Sequence, residues 1–414
     1  MKKLVALLLA LTLCIGLCAC GATAEKPAEE TPATTGETET PATDAKDIKV
    51  GFIFLHDENS TYDLNFINAA KAAAAELGLS DDQIMMKTNI AESQACYDAA
   101  AELVDAGCDL VITDSFGHES FALAAAKEFP EVQFVSCTGV KAHTEGLSNF
   151  HNAFASIYEG RYLAGVAAGL KLNEMIENGD ITAEEAKMGY VGAYPYAEVK
   201  SGYTSFFLGA RSICPSVTME VTFTSSWYDE ALEKEAANKL INNGCVLISQ
   251  HADSMGAPTA CETAGVPNVS YNGSTVAACP NTFIVSSRID WTPFFVYAIN
   301  CVTAGEDIGY DWTGTLATGS VVLTEVNEQA AAAGTVEKIA EVMKALEDGS
   351  VKVFDTATFT VNGETVTTYL ADVDDLGDYV GETEAISDGV FLESFYRSAP
   401  YFDLDIDGIT NLDA

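Results

Sequence analysis

Four of the five histidines in this 414-residue chain fall in loops that follow short apolar runs. These loops are also rich in aromatic, amide, hydroxyl and carboxylate side chains. They read HDENSTY (56–62), SFGHE (115–119), HN (151–152), YPYAE (194–198), SSWYD (225–229), HADS (251–254) and NGS (272–274). Flat aromatic rings beside amides and carboxylates suit a planar, polar ligand such as a nucleobase, because ring faces stack and edge atoms take hydrogen bonds.

Several of these residues have two possible roles. Trp227 is the best stacking candidate, although a Trp at this position can also anchor a core with its N–H satisfied; Tyr62 has the same ambiguity. Phe116 can either contact a ligand or plug the rim of a cleft. Asp253 and Asp229 can hold ribose hydroxyls or a ring N–H, or each can cap the helix that follows it. We favour capping for Asp229, which precedes a clear helical pattern.

The histidines and Asp253 also raise an enzymatic or zinc-binding interpretation. However, the chain contains no His-x-x-x-His or HExxH spacing, no GxSxG, no P-loop and no GxGxxG at a strand–helix turn. We therefore expect no catalytic residue, no metal site and no cofactor. A surface hydrolase remains the least favoured alternative.

The elements that must position these loops alternate regularly between strands and helices. We predict strands at 48–55, near 84, and at 109–114, 132–136, 147–150, 188–193, 217–223, 246–250, 268–271 and 283–286. We predict helices at 62–77, 92–106, 197–213, 228–243 and 254–264, and one that ends at Phe129. This alternation predicts βαβ units and parallel sheets, in which ligands bind beyond the carboxyl ends of the strands.

The N-terminus has the pattern of a bacterial lipoprotein signal. Met1-Lys2-Lys3 and an apolar run precede Leu17-Cys18-Ala19-Cys20, so we expect residues 1–19 to be removed and Cys20 to be lipidated. Residues 20–46 contain no aromatic or large aliphatic side chain, which predicts a disordered tether. The protein would then be anchored to the cell membrane on its extracellular or periplasmic face.

The formal net charge of −40, without a Lys/Arg cluster, argues against a nucleic-acid partner. Eight cysteines follow the tether, and none forms a CxxC pair. Most of them lie in apolar helix or strand patterns, so we expect mainly reduced, buried thiols rather than disulfides.

At this point the chain resembles the basic membrane protein family of solute-binding lipoproteins, which serve ABC importers. The segments that carry the resemblance span about 47–355: IKVGFIF, VITDSFGHES, FPEVQF with TGVK, YEGRYLAGVAAG, SSWYDE and LISQHADSMGAP. The resemblance implies a type I periplasmic-binding-protein fold, an α/β fold with two Rossmann-like lobes, parallel sheets and a hinge of three crossovers. It also implies capture of a purine nucleoside or nucleobase between the lobes.

Taken together, the loops and the resemblance give one set of expected ligand contacts: Asn59, Tyr62, Ser115, Phe116, His118, Asn152, Trp227, Gln250, His251, Asp253, Asn272 and Arg288. Arg288 is included as the basic residue nearest to the position of a ribose-binding lysine in nucleoside-binding members. The small-residue face of helix 157–174 is assigned to packing against a sheet.

The expected domains are residues 47–152 with 288–318 as the first lobe, 153–287 with 319–355 as the second, and 356–414 as a C-terminal extension without an assigned role. The expected partners are a purine, an ABC permease and, through Cys20, the lipid bilayer, with the protein itself a monomer. The alternatives are a binding protein for a sugar, an amino acid or a small signal, and a sensor co-receptor.

Overall fold

A computed structural model describes residues 47–374 and 380–413. The expected signal peptide (1–19), the lipidation site Cys20 and the tether (20–46) lie outside the described residues. Over the part of the chain that is described, no helix combines the length and apolar character needed to span a bilayer.

The strands form where short apolar runs occur in the sequence. They are β1 (Val50–Ile53), β2 (Ile84–Lys87), β3 (Leu110–Thr113), β4 (Gln133–Cys137), β5 (Phe150–Ala155), β6 (Lys187–Gly192), β7 (Thr218–Phe223), β8 (Leu247–His251), β9 (Asn268–Tyr271), β10 (Phe283–Ile289), β11 (Asp311–Gly314), β12 (Val321–Leu323), β13 (Leu370–Ala371), β14 (Thr383–Glu384), β15 (Ile386–Ser387), β16 (Val390–Phe391) and β17 (Ile409–Asn411).

The helices connect these strands and often end at a glycine in the left-handed conformation, as Gly78 does after the first helix. They are α1 (Thr61–Leu77), α2 (Gln94–Asp105), α3 (Glu119–Glu128), α4 (Ala142–Glu145), α5 (Ile157–Asn178), α6 (Ala197–Ile213), α7 (Glu230–Asn242), α8 (Gly256–Ala264), α9 (Thr292–Ala304) and α10 (Thr335–Glu347).

Two sheets define two lobes. The first sheet has the order β11-β5-β4-β3-β1-β2, and all its strands are parallel. The second has the order β12-β10-β9-β8-β6-β7-β17 and is parallel except for the antiparallel β10–β12 pair. This confirms the expected parallel α/β architecture.

The chain passes between the lobes three times, after β5, after β10 and after β11. The connecting segments are hydrogen-bonded to one another: the N–H of Ser156 donates to Gly314 and the N–H of Asp290 donates to Ser320. The first crossing follows Ala155, three residues later than the boundary expected from the sequence.

Two predicted loop positions are wrong because the strands extend further. His151 and Asn152 lie inside β5, where the two ring nitrogens of His151 hydrogen-bond to the Gly309 carbonyl at 2.6 Å and to Gln133 Oε1 at 2.7 Å. Arg288 likewise lies inside β10 rather than after it. The His151 and Asn152 side chains are tolerated within β5 because distant residues provide their partners, whereas Arg288 is partly exposed and pairs with the nearby Asp290.

The small-residue face of α5 packs mainly against α6, and not only against a sheet as the sequence suggested. A Cβ added at Gly165 would lie 2.0 Å from the Phe206 carbonyl oxygen, and one at Gly209 would lie 2.1 Å from that of Tyr162. The glycines therefore allow the two helix backbones to pack in direct contact.

The C-terminal extension is part of the second lobe. Phe391 and Phe402 are buried in the second-lobe core, where the ring of Phe402 stacks on that of Phe354 at 4.4 Å. Strand β17 pairs in parallel with β7 and extends the second sheet by one strand. The eight cysteines of the body are all buried and free, in agreement with the expected reduced thiols.

Candidate functional site

A small cavity of about 20 Å³ lies between the two lobes, at the carboxyl ends of their parallel strands. Both lobes contribute to its wall. The lining residues are Leu55, Tyr62, Asp63, Ser115, Phe116 and Thr138 from the first lobe, with Glu198, Trp227, His251, Asp253 and Tyr271 from the second.

The lobes are in contact around this cavity. Thr61 at the start of α1 donates its N–H to the Asp253 carbonyl oxygen at 3.0 Å, across the gap between the lobes. The rings of Phe116 and Tyr196 are 5.6 Å apart, and Phe116 remains 39% exposed at the rim. This is the arrangement of a closed clamp, with the cavity as its interior.

Aromatic rings from both lobes face the cavity. In the second lobe, Trp227 packs edge-on against Tyr194 at 5.2 Å, and Tyr194 stacks on Tyr196 at 5.1 Å. In the first lobe, Tyr62 packs on Phe66 at 5.0 Å and donates its hydroxyl to the Asp114 carbonyl oxygen at 2.7 Å. Contacts within each lobe therefore fix the orientation of the Tyr62 and Trp227 rings.

Asp253 connects the cavity wall to both the aromatic cluster and the opposite lobe. Its N–H donates to the Trp227 carbonyl oxygen at 3.0 Å, and its Oδ1 accepts from Asn272 Nδ2 at 3.2 Å. Within the described residues no hydrogen bond reaches its Oδ2. Burial raises the pKa of this carboxyl well above its usual range.

Asp63 and Asp114 form an acidic pair at the first-lobe side of the cavity. Asp63 Oδ1 accepts the N–H of His56 at 2.7 Å, and Asp114 Oδ1 accepts that of Leu55 at 3.1 Å. Burial and the adjacent charge of Asp63 raise the pKa of Asp114 well above its usual range. Burial opposes ionisation of Asp63 as well, but hydrogen bonds from His56 and Ser60 lower its pKa overall. Asp114 therefore holds a proton more readily than Asp63 does.

His251 and Glu198 form the second polar group of the wall. His251 Nε2 lies 3.4 Å from Glu198 Oε1, and the imidazole ring is 4.5 Å from that of Tyr271. Burial lowers the pKa of His251, so the imidazole is neutral at physiological pH. A neutral ring beside a carboxyl group can hold a ligand in place, but none of the described residues that line the wall is a Lys or Arg that could balance an anionic ligand.

Six of the twelve expected contacts line this cavity: Tyr62, Ser115, Phe116, Trp227, His251 and Asp253. The other six do not line it. Asn59 is exposed and bonds to Asp57, His118 is buried and bonds to the Ile90 carbonyl, Gln250 pairs with Asn268, and Asn152 pairs with Glu119. Asn272 donates its side-chain N–H to Asp253 Oδ1. Arg288 lies 3.5 Å from Asp290 and lines a separate open cleft.

Asp229 is the N-cap of α7, and its side chain accepts the N–H of Leu232 at 2.9 Å, which confirms the capping role that the sequence favoured. Five lining residues were missed: Leu55, Asp63, Thr138, Glu198 and Tyr271. Thr138 and Tyr271 sit at the ends of β4 and β9. Tyr271 is the last residue of β9, and Thr138 directly follows β4, so both positions agree with the rule that ligands bind at the carboxyl ends of parallel strands.

Two α/β lobes that close over a cavity at their strand ends define a solute-binding protein of the type I periplasmic class. The family model described as ABC transporter substrate-binding protein PnrA-like (Bmp) matches residues 53–353. The chain belongs to this family, whose members bind solutes rather than catalyse reactions and work outside the cytoplasm with a membrane permease.

Known relatives agree with this assignment. A purine-binding protein of Brucella abortus is 31% identical over 261 residues, which cover 62% of this chain and 69% of the relative. A putative ABC transporter glucose-binding protein of Haloferax volcanii is 31% identical over 217 residues, about half of each chain. The crystal structure of an ABC solute-binding protein from Aeropyrum pernix superposes with a TM-score of 0.62 at 17% identity, covering 77% of this chain and 94% of the other, and supports the fold alone.

Proposed function

We propose that this protein captures a purine nucleobase or nucleoside at the cell surface and delivers it to an ABC permease. The observation that carries the proposal is that Tyr62 of the first lobe and Trp227 of the second line the same cavity. Two aromatic rings on opposite lobes can enclose a flat molecule, and base–aromatic stacking contributes about 1–3 kcal/mol per base.

The polar wall supports a ligand with hydrogen-bonding groups at its edges. Asp253 Oδ2 has no partner among the described residues, and Glu198 is engaged only by His251 at 3.4 Å. Purine bases carry both N–H donors and ring-nitrogen acceptors at their edges, so they can pair with Glu198 as well as with an Asp253 carboxyl whose raised pKa favours the protonated form. The purine-binding relative, at 31% identity, supports the same ligand class.

Ligand binding and lobe closure are a single step in this proposal. A molecule that touches Tyr62 and Trp227 at once stabilises the closed form and shifts the population toward it. The closed monomer then presents its lobes to the permease, and the lipid on Cys20 with the tether 20–46 keeps it at the membrane.

A hexose is the second candidate ligand. The putative glucose-binding relative is as similar in identity as the purine-binding one, although it is covered over only about half its length. Aromatic faces beside carboxylates can hold a sugar as well as a purine. We favour the purine because the flat-ring contacts come from both lobes.

A binding panel tests the proposal. Purified protein is titrated by calorimetry with adenine, hypoxanthine, adenosine, inosine and D-glucose, and its melting temperature is measured with each compound. Tight binding raises the melting temperature in proportion to the logarithm of the ratio of ligand concentration to Kd. Micromolar or tighter binding of at least one purine supports the proposal; binding of glucose alone contradicts it and supports the hexose.

A further inference from the structure

Thr138 is the most strained residue of the cavity wall. Its φ is +66°, in the left-handed region. Six non-glycine residues of the described chain have positive φ, and four of these are Asn or Asp, which tolerate that conformation. Thr138 alone is β-branched, and for such a residue the conformation is a true outlier that persists only when its surroundings impose it.

A buried brace imposes this conformation. Glu119 Oε1 accepts the N–H groups of Val140 at 2.6 Å and Lys141 at 2.8 Å, and Asn152 Oδ1 accepts that of Ala142 at 2.7 Å. Asn152 Nδ2 donates to Glu119 Oε1 at 3.1 Å, so the two side chains form one unit beneath the turn.

Gly139 allows the brace to approach the backbone of the turn. A Cβ at this position would lie 2.2 Å from Asn152 Nδ2 and 2.6 Å from Glu119 Oε1. On the other side, the N–H of Thr138 donates to the Ala153 carbonyl oxygen at 2.8 Å. The segment from 138 to 142 is therefore fixed by its own buried contacts.

The Thr138 hydroxyl is the second unusual feature of this residue. Thr138 is only 3% exposed and lines the cavity, yet its hydroxyl has no hydrogen-bond partner among the described residues. An unsatisfied buried hydroxyl is unfavourable. Five serine and threonine hydroxyls of the described residues are in this state, those of Ser136, Thr138, Thr204, Ser286 and Ser320, and among them only that of Thr138 lines the cavity. A strained backbone and an unpartnered hydroxyl coincide at one residue of the cavity wall.

We propose that the Thr138 hydroxyl is a hydrogen-bonding contact to the bound ligand, and that Glu119 and Asn152 are positioning residues which hold it there. The ligand then presents polar atoms to both lobes, to Thr138 on the first and to Asp253 on the second. A purine, with ring nitrogens and exocyclic groups on more than one edge, meets this requirement. The inference rests on the proposed function only for the chemical class of the ligand.

The decisive variant is Thr138→Val, which keeps the shape and the β-branching and removes only the hydroxyl. The affinity for the tightest-binding compound among adenine, hypoxanthine, adenosine, inosine and D-glucose should fall about five- to tenfold by calorimetry. The melting temperature of the unliganded protein should not fall, because no protein hydrogen bond is lost. Thr138→Ser should retain most of the affinity.

Thr263→Val is the matched control, because Thr263 is exposed on α8, far from the cavity lining, and its hydroxyl donates to the Thr259 carbonyl oxygen. Unchanged affinity in Thr138→Val, or a melting temperature well below that of the control, would overturn the inference. If only glucose binds and Thr138→Val weakens it, purine capture fails while the role of Thr138 stands. The melting comparison needs no ligand, so a lowered melting temperature of Thr138→Val overturns the inference even if no compound of the panel binds.

Discussion

Thr61 of the first lobe donates both its N–H, at 3.0 Å, and its hydroxyl, at 3.2 Å, to the carbonyl oxygen of Asp253 in the second lobe. The N–H of Asp253 donates in turn to the Trp227 carbonyl. The backbone of this cavity-lining residue therefore connects the lobes through its carbonyl oxygen and contacts the aromatic cluster through its N–H. Ligand recognition and lobe closure share these contacts.

The first prediction concerns this connection. Thr61→Val removes the hydroxyl donor and keeps the backbone N–H, so the closed form loses one hydrogen bond worth roughly 0.5–1 kcal/mol. Since the ligand binds the closed form, the measured affinity should fall about two- to fivefold in calorimetry. Thr263→Val should leave the affinity unchanged, and equal affinities for both variants would show that the Thr61 hydroxyl does not contribute to closure.

The second prediction tests the aromatic clamp. Trp227→Ala removes a stacking surface and should weaken purine binding at least tenfold, since base–aromatic contacts are worth about 1–3 kcal/mol. The fold should persist, because Trp227 is only partly buried. Phe395→Ala, at a surface ring that is 71% exposed, is the control and should bind as the wild type does. An unchanged affinity for the Trp227 variant would remove this residue from the site.

Local patterns predicted the architecture well. The helix expected at 197–213 and the strand expected at 268–271 both form at those positions, because their apolar periodicity and flanking residues are sufficient to define them. The parallel sheets then followed from the alternation of strands and helices, and with them the edge at which the cavity forms.

Residues whose environment depends on distant partners could not be predicted in the same way. Asn152 looked like a loop residue because its partner, Glu119, lies 33 positions earlier in the chain. The strain at Thr138 also arises from the folded structure and has no local signature in the sequence. The role of the extension after residue 355 could not be predicted, because its buried residues pack on distant parts of the second lobe. Phe402, for example, stacks on Phe354.

The third prediction follows from that packing. Phe402 is fully buried and contacts Phe354 and Phe391 at ring distances of 4.4 and 4.8 Å. Phe402→Ala should lower the free energy of unfolding by about 3–5 kcal/mol, as expected for an aromatic side chain deleted from a core. Urea denaturation measures this, and Phe395→Ala, in the same extension, should change it by less than about 0.5 kcal/mol. Similar losses in both variants would contradict a core role for the extension.

The fourth prediction is a pH dependence. Burial raises the pKa of Glu393 to about 7, and its carboxyl accepts hydrogen bonds from Ser201 and Ser394. The folded protein therefore retains this proton where the unfolded chain, with an ordinary glutamate pKa, has lost it. For a raised pKa the stabilisation is complete at low pH and is lost as the pH rises through about 7.

Glu393→Gln removes this titration and keeps an oxygen acceptor. Between pH 5 and pH 8 the wild type should lose on the order of 2 kcal/mol of unfolding free energy relative to the variant. Glu131→Gln, at an exposed loop position, should follow the wild-type profile. Parallel profiles for wild type and Glu393→Gln would mean that Glu393 titrates normally in the folded protein.

The fifth prediction addresses the membrane anchor. If Cys20 carries a diacylglycerol, two acyl chains hold the protein at the bilayer, which suffices for stable attachment where a single chain gives only reversible binding. Cys20→Ser should therefore move the protein from the membrane fraction to the soluble fraction and abolish labelling with radioactive palmitate. Purine affinity should not change, because the cavity-lining residues all lie after residue 50. Cys18→Ser, two residues earlier, is the matched control and should remain anchored; membrane retention of the Cys20 variant would contradict the proposed anchor.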